Sequence, residues 1–262
     1  MSRLLERRYV EKPWGRTHLP AMFDPQHGQR TGEVWFMGEP DLPLLAKYIF
    51  TSERLSVQVH PDDAEGRRRG LKSGKSECWY ILDADPGATL GLGLKGKVTK
   101  DELRRAAEDG SIEGLIDWRP ITAGEFVFVP AGTIHAIGAG ISLLEFQQNL
   151  DITYRLYDYG RPRELHLDDA IAVSKPEPFP SHLIQHLSRE ENRTLVDGPH
   201  FKLRVTHADA FQDQRRWIIP LEGEVRAGGE RAQAGDCLLV EADELVELAS
   251  ARLLIGATAR QS

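Results

Sequence analysis

The hydrophobic positions of this chain fall in short runs that are separated by turn residues. Ten such runs are LLAKYIF (44–50), LSVQVH (55–60), ECWYIL (77–82), ATLGLGL (88–94), EFVFVP (125–130), ISLLEFQQ (141–148), FKLRVTHA (201–208), RRWIIPLEGEV (215–225), DCLLVEA (236–242) and ARLLIGA (251–257). Glycine, proline and aspartate punctuate the sequence between them, and apolar residues alternate with polar ones in several runs, as in half-buried strands. This pattern predicts a mainly β fold, a barrel or a sandwich.

Helices are predicted in few places. PDDAEGRRRG (61–70) predicts one short helix. In TKDELRRAAEDG (99–110), Thr99 and Glu102 have capping-box spacing and Gly110 closes the segment. SIEGLIDW (111–118) predicts a second short helix directly after it. We therefore expect a helical insertion at about 99–118, between strands of one β unit.

Two segments of the chain resemble each other. ITAGEFVFVPAGTIHAI (121–137) and AQAGDCLLVEADELVEL (232–248) each have Ala-Gly and an acid, then an apolar strand and a turn. Where the first copy has His135, the second has Leu245 or Val246. Three prolines in 173–185 indicate a linker between the copies. We predict a catalytic unit at 1–172, a linker at 173–190, and a degenerate second β unit at 191–262 that serves mainly for packing.

Composition narrows the class of protein. The chain has 262 residues, 40% hydrophobic content and a net charge of −7, which suits a large core and argues against nucleic acid as the main partner. Two cysteines, Cys78 and Cys237, predict no disulfide framework and a reducing compartment. The sequence has no apolar run long enough for a signal peptide or a membrane helix. We expect a soluble cytoplasmic protein.

The segment LSVQVHPDD (55–63) carries unusual polar groups for a strand. Leu55 and the two valines alternate with Ser56, Gln58 and His60, and Pro61 then favours an end to the pairing. A strand with a solvated face usually carries lysine, glutamate or threonine there. This strand instead presents a hydroxyl, an amide and an imidazole on one face.

Two further segments offer matching chemistry. In GKSECWYIL (74–82), a strand places Lys75, Glu77 and Trp79 on one face and Cys78 on the other. In FVFVPAGTIHAIG (126–138), His135 follows an apolar strand and a glycine turn. A thiol role for Cys78 is not expected, because its side chain would lie opposite Glu77.

Together these segments supply two imidazoles, a carboxylate and an amide oxygen. Such a set suits zinc or a similar divalent first-row metal. The alternative interpretation is structural, since a single histidine is more often a surface or hydrogen-bonded core residue than a ligand. Seven other histidines have no comparable setting and are assigned to the surface: His18, His27, His166, His182, His186, His200 and His207.

A fourth segment, LLEFQQNLDITYRLYDYGR (143–161), contains Glu145 in an otherwise apolar strand and Arg155 in a tyrosine-rich stretch. An arginine among aromatic residues is often stacked and structural. The functional alternative is that Arg155 faces an anionic or oxyanionic substrate.

These four segments, in this order, resemble the type I mannose-6-phosphate isomerases, and specifically their short bacterial cupin form. KPWGR and TGEVWFMG also resemble family segments near the substrate, with Trp14, Glu33 and Trp35 as the matching residues. The resemblance covers roughly 55–166, and the last 80 or so residues fit it only loosely. It implies a cupin-type β-barrel (jelly roll) with short helical insertions and a second, degenerate cupin-like β unit.

The resemblance also implies the roles of individual residues and one zinc ion per chain. The implied zinc ligands are Gln58, His60, Glu77 and His135. The implied catalytic residues are Arg155, Lys75 and Glu145. The residues implied near the substrate are Ser56, Trp14 and Glu33.

The implied reaction interconverts mannose 6-phosphate and fructose 6-phosphate through a cis-enediol, with a small sugar phosphate as the partner. Arg155 and Lys75 are expected to lack acid partners and so to be available to the substrate. The phosphate needs other cations, for which Lys95, Lys97 and Lys100 are candidates, although a solvated basic loop is an equal alternative. The rival functions are a cupin oxygenase, a non-catalytic sugar-binding cupin, and an isomerase of a related sugar phosphate.

Overall fold

A computed structural model describes residues 1–23 and 29–259 of the protein, so that His27 lies outside the described residues. The strands are β1 Arg3–Leu4, β2 Glu6–Arg16, β3 Thr31–Met37, β4 Leu44–Phe50, β5 Val57–Val59, β6 Glu77–Ala84, β7 Thr89–Leu94, β8 Ile116–Pro120, β9 Glu125–Val129, β10 His135–Ile137, β11 Ile141–Gln148, β12 Tyr154–Tyr157, β13 Ile184–His186, β14 Arg193–Asp197, β15 Phe201–Thr206, β16 Arg216–Ala227, β17 Glu230–Gln233, β18 Leu238–Val240 and β19 Glu247–Thr258. The helices are α1 Asp63–Arg68, α2 Lys100–Asp109, α3 Ile112–Leu115 and α4 Leu167–Val173, with a 3-10 turn at Ser181–Leu183. The predicted mainly β fold is confirmed.

The strands form three antiparallel sheets. Sheet I has the order β13-β9-β6-β11-β4-β3-β2, and sheet II has the order β12-β5-β10-β7-β8. Sheet III has the order β1-β18-β16-β19-β15-β14, with β17 paired to β16. Within the described residues these sheets are open rather than closed into one barrel. Their stacking is compatible with the predicted jelly roll.

The central strands of sheet I are covered on both faces, which explains why β4, β6, β9 and β11 are mostly apolar. In β4 all seven residues are buried. Ala46, Tyr48 and Phe50 pack in the core between sheets I and III, while Ile49 packs in the core shared with sheet II. Because successive side chains of a strand point to opposite faces, β4, β6, β9 and β11 contribute to both cores. The face toward sheet II carries the candidate site.

Sheet II is covered by helices on its outer face. Val57 and Val59 of β5 are fully buried in a core that also contains Leu103 of α2 and Ile171 of α4. The apolar face of LSVQVH therefore packs under helices, and its polar face turns inward. The predicted capping box at the start of α2 is confirmed, and Gly110 ends this helix in the left-handed conformation (φ 82°).

One predicted helix is only half correct. The segment 111–118 begins as α3, but from Ile116 it continues as β8, which pairs with β7. Ile116 is fully buried against the helical layer. Pairing with β7 at the edge of sheet II satisfies backbone groups of this segment, which explains why it continues as a strand.

The two similar segments share a local turn. Gly124 and Gly235 both have positive φ (88° and 93°), and the acid after each accepts a hydrogen bond from the backbone three residues earlier. The division into units stays a prediction. In the segment 173–190, β13 pairs with β9 of sheet I, and β1 near the N-terminus pairs with β18 of sheet III. No helix in the described ranges is long and apolar enough to cross a membrane.

Candidate active site

Three strands of sheet II align a row of polar side chains. Gln58 of β5 lies directly opposite His135 of β10 on one side and opposite Arg155 of β12 on the other. Directly opposed residues have Cβ atoms about 5 Å apart and project from the same face. His60, two residues beyond Gln58, also lies on this face.

Glu77 completes the cluster from sheet I. Its carboxylate oxygens lie 3.4 Å from Nε2 of His60 and 3.4 Å from Nε2 of His135. One donor atom from each of the three residues lies within 4.8 Å of the others, and all three side chains are buried. The side-chain amide of Gln58 is 3.2 Å from Nε2 of His135. The four residues therefore converge on one point from two facing sheets.

Both imidazoles are held neutral by their surroundings. Burial, followed by the charge of Lys75, lowers the pKa of His60 to about 3. Burial also lowers the pKa of His135, and the Nδ1 atom of this ring is 2.9 Å from the backbone oxygen of Thr133. A hydrogen bond from Nδ1 to that oxygen leaves the lone pair of Nε2 free, and this atom faces Glu77. Neutral imidazoles with free nitrogens are what a divalent metal requires.

A second polar row crosses sheet I. Glu145 of β11 lies opposite Trp79 of β6 and Lys47 of β4, and Lys47 lies opposite Trp35 of β3. The indole Nε1 of Trp79 donates to Glu145 at 3.1 Å, and the ammonium of Lys47 lies 5.5 Å from the ring centre of Trp35. This row faces the sheet II row across the interior.

Lysines and glutamates alternate through the site as an ion-pair chain. The ion-pair chain starts at Lys12 and ends at Glu77. Between neighbours along it, in the order given next, the ammonium nitrogen and the carboxylate oxygen lie 3.2, 3.5, 3.0, 3.8 and 2.9 Å apart. The members of the ion-pair chain, in order, are Lys12, Glu33, Lys47, Glu145, Lys75 and Glu77. All except Lys12 are buried. Each buried charge thus has a neighbour of opposite sign, which buried charges require.

The ion-pair chain perturbs the pKa values of its members. Burial alone would raise the pKa of Glu33, but Lys47 and then Lys12 outweigh it and lower this pKa to about 2. Burial would lower the pKa of Lys47, but Glu145 and Glu33 raise it above its usual range. Burial and the charge of Glu77 raise the pKa of Glu145. Burial would raise the pKa of Glu77, but Lys75 outweighs it and lowers this pKa well below its usual range. The site therefore holds two strongly ionised carboxylates, and a third, Glu145, that protonates more readily.

A cavity opens between the two rows. Its walls include seven of the residues predicted for the site, namely Trp14, Glu33, Ser56, Gln58, Lys75, Glu145 and Arg155. The remaining three, His60, Glu77 and His135, form the buried cluster below it. Ser56 donates to Oε1 of Gln58 at 3.2 Å, which places this hydroxyl beside the cluster.

The two predicted cations differ in their partners. The expectation that Lys75 lacks an acid partner is wrong, because its ammonium lies 2.9 Å from Glu77 and 3.2 Å from Nε2 of His60. Arg155 has no ion pair among the described residues, and it donates to the backbone oxygen of Glu164 at 3.2 Å. Its charge is available to a ligand in the cavity.

The lysines proposed for the phosphate lie elsewhere. Lys95 donates to the backbone oxygen of Gly114, and Lys100 donates to that of Ala172. Both residues and Lys97 are exposed, and none of the three is among the described residues that line the cavity. The sequence LKGKVTK places lysines beside the helical insertion, on the outer face of sheet II. That candidate assignment is therefore wrong.

Sequence reasoning missed three cations that line the cavity, Lys12, Lys47 and Arg163. A signal for Lys47 was available, because a lysine inside a continuous apolar run such as LLAKYIF must find a buried partner. Lys12 lies in a charged strand, and Arg163 follows a turn. Neither position carries a pattern that distinguishes it from a solvated surface.

Comparisons with known proteins agree with this arrangement. No protein-family model matches the chain. The mannose-6-phosphate isomerase ManA of Bacillus subtilis is 38% identical over 267 residues, covering 83% of this chain and 84% of that protein. A mannose-6-phosphate isomerase of Streptococcus mutans is 42% identical over 169 residues, covering 61% of this chain and 52% of that protein, so the chain spans about half the length of that relative.

Solved structures show the same fold. The crystal structure of mannose 6-phosphate isomerase from Bacillus subtilis superposes with a TM-score of 0.82 at 26% identity, covering 97% of this chain and 98% of that one. A zinc-bound mannose 6-phosphate isomerase superposes with a TM-score of 0.74 at 15% identity, covering 99% of this chain and all of that one. Since one relative is 38% identical and the match spans more than two thirds of this chain, the protein belongs to the mannose-6-phosphate isomerase family.

Proposed function

We propose that this protein interconverts mannose 6-phosphate and fructose 6-phosphate, as an aldose–ketose isomerase that requires a divalent metal. The observation that carries the proposal is the convergence of His60, Glu77 and His135 at the base of a cavity that also contains Arg155, which has no ion pair among the described residues. Relatives named for this activity at 38% and 42% identity support it. The substrate is accordingly a small sugar phosphate.

The metal we propose is zinc, held by Gln58, His60, Glu77 and His135. The donor set fits, because it offers two neutral imidazoles, a carboxylate and an amide in a buried setting. Nδ1 of His60 has no hydrogen-bond partner among the described atoms, whereas Nε2 of that ring faces Glu77 and the ammonium of Lys75. Rotating the Gln58 amide by 180° brings Oε1 next to His135, since amide orientation is assigned from its hydrogen bonds. When bound, zinc supplies Lewis-acid polarisation of the substrate oxygens.

The protein's own residues divide the proton transfers among them. Glu145 is the proposed base for the C–H proton, because its carboxylate is buried on the cavity wall and Trp79 fixes one of its oxygens. Lys75 lies 3.8 Å from Glu145 and is the proposed carrier of the hydroxyl proton. Arg155 stabilises the negative charge of the enediolate, because its guanidinium is charged at all working pH values.

The positions of the remaining predicted residues support binding roles. Trp14 is buried beside the cavity and forms an apolar wall, while Ser56 and Glu33 present polar groups to the same space. We place the sugar hydroxyl groups against Ser56 and Glu33. We also propose a cytoplasmic location and two β units joined by a linker at 173–190.

The test is isomerisation of mannose 6-phosphate by the purified protein as isolated, after chelation, and after zinc is returned. Activity that disappears with chelation and returns with zinc supports both the reaction and the metal. Equal rates with and without oxygen separate the isomerase from a cupin oxygenase. A preparation that holds one metal per chain and leaves mannose 6-phosphate unchanged would refute the proposed substrate.

A further inference from the structure

Two arginines, Arg155 and Arg163, line one rim of the cavity, and a buried aspartate pairs with Arg163 and with a third arginine, Arg161, beside it. Asp158 is 2% exposed and lies just after β12, at the start of a turn. Arg163 donates to both of its oxygens, at 2.6 and 2.7 Å. Arg161 lies 2.8 Å from the same carboxylate. Arg155, the β12 residue opposite Gln58, lies three residues before Asp158 and has no carboxylate partner of its own among the described residues.

The two arginines on Asp158 point to different places. Arg163 lines the cavity together with Arg155, whereas Arg161 lines a neighbouring cleft and donates to the backbone oxygen of Arg54. One carboxylate is thus shared by two guanidiniums. The rim also carries Asp151, which is exposed and lines the cavity. Burial and the nearby charge of Arg163 lower the pKa of Arg155, which is the expected effect of two like charges facing one space.

This cation cluster differs from the rest of the cavity. The three lysines of the ion-pair chain are each paired with glutamates, so their charges are largely neutralised before a ligand binds. If Arg155 stabilises the enediolate and the lysines are paired, the phosphate still needs a cation. A guanidinium whose orientation is fixed by a bidentate ion pair suits phosphate, because its geometry is set before the ligand arrives.

We propose that Arg163, held in place by the buried Asp158, is the residue that binds the phosphate group of the substrate, with Asp158 as its positioning residue. The inference rests on the proposed function, since it assigns the phosphate end of the same site. It implies that the sugar lies with its reacting carbons over the metal cluster and its phosphate toward the turn after β12. Phosphorylated sugars are then selected over free sugars at this rim.

The experiment compares Arg163→Met with Arg161→Met in the zinc-loaded protein. Both variants remove one partner of Asp158, but only the first removes a cation from the cavity wall. We expect Arg163→Met to raise KM for mannose 6-phosphate by at least about tenfold and to change kcat by less than about threefold. The reason is that the variant loses a charge-assisted contact that is made equally in the ground state and the transition state. Arg161→Met is expected to change KM by less than about threefold. Arg163→Lys, which keeps the charge without the fork, should fall between them.

Inorganic phosphate provides a readout that does not depend on turnover. Calorimetric titration should detect phosphate binding to the wild type and to Arg161→Met, and at least about tenfold weaker binding to Arg163→Met. Equal effects of the two variants on KM and on phosphate binding would overturn the proposal, and so would an Arg163→Met variant that loses kcat alone. If the wild type binds phosphate through Arg163 but leaves mannose 6-phosphate unchanged, the proposed function fails while the anion site stands.

Discussion

Removing Lys47 should destabilise the protein strongly, because its ammonium is the central cation of the ion-pair chain. It is buried between two carboxylates, 3.5 Å from Glu33 and 3.0 Å from Glu145. Lys47→Met fills much of the same volume without the charge. Breaking a buried pair by removing one partner typically costs about 3–5 kcal/mol of unfolding free energy, and we expect a loss in that range.

The pKa of Glu33 gives an independent estimate. Its folded-state pKa is about 2 against an ordinary value of 4.5, a difference that corresponds to about 3 kcal/mol. Because the folded pKa is depressed, this stabilisation is present above pH 4.5 and is lost as the pH falls from 4.5 toward 2. Without Lys47, only Lys12 and the hydrogen bond from Trp35 oppose the effect of burial among the described residues, so the pH dependence in this window should shrink.

The assay is urea unfolding followed by tryptophan fluorescence, with chelator present so that metal loss does not contribute. The matched control is Lys202→Met, which removes a partly exposed cation 3.0 Å from Asp197 and should cost less than about 1 kcal/mol. The double variant Lys47→Met/Glu145→Gln should recover part of the loss, since it also removes the buried carboxylate that lost its nearer ammonium and kept only Lys75 at 3.8 Å. The reasoning is wrong if Lys47→Met behaves like the control, or if the double variant is less stable than the single one.

Three further outcomes are expected. His135→Ala should lose metal and activity together, measured by metal analysis and isomerisation rate; a full metal equivalent in this variant would remove His135 from the ligand set. Arg155→Ala should keep metal and fold but lose most turnover, and a near-normal kcat would show that the arginine is structural. Gly256→Ala should lower the unfolding free energy by about 1–3 kcal/mol, because a Cβ there would lie 2.2 Å from the ring of Phe146 between sheets I and III. Gly114→Ala meets nothing within 4 Å and serves as its control, expected to be neutral or slightly stabilising.

The metal cluster was accessible from the sequence because its signal is local. Alternation in LSVQVH puts Gln58 and His60 on one face, and the buried opposite face of valines shows that this strand is covered on both sides. The same parity separates Glu77 from Cys78, which packs in the core toward sheet III, as expected. The alternation of apolar and polar residues did not show which strands pair and so bring three separate segments to one point. The family resemblance supplied that information.

The rest of the site depends on long-range contacts that leave no local pattern. The strand β2, ERRYVEKPWGR, is too charged to be recognised as a strand, although it pairs with β3 along most of its length. Its position at the edge of sheet I tolerates such residues, because one side of the strand faces solvent. Arg163 was missed for a similar reason, since only the fold places the turn after β12 over the cavity.

The charge balance of the site explains why so many ionised groups are tolerated between two apolar cores. Three lysines alternate with three glutamates in the ion-pair chain, so the chain is neutral as a whole. The charges left over are those of a bound divalent metal and of Arg155 and Arg163, less the acids at the rim. A sugar phosphate brings a dianion, and its enediolate brings a further negative charge. The protein thus neutralises its own buried charges pairwise. Under the proposed function, the positive charge that is left lies where the substrate becomes negative, which is the condition for stabilising the transition state without prior reorganisation.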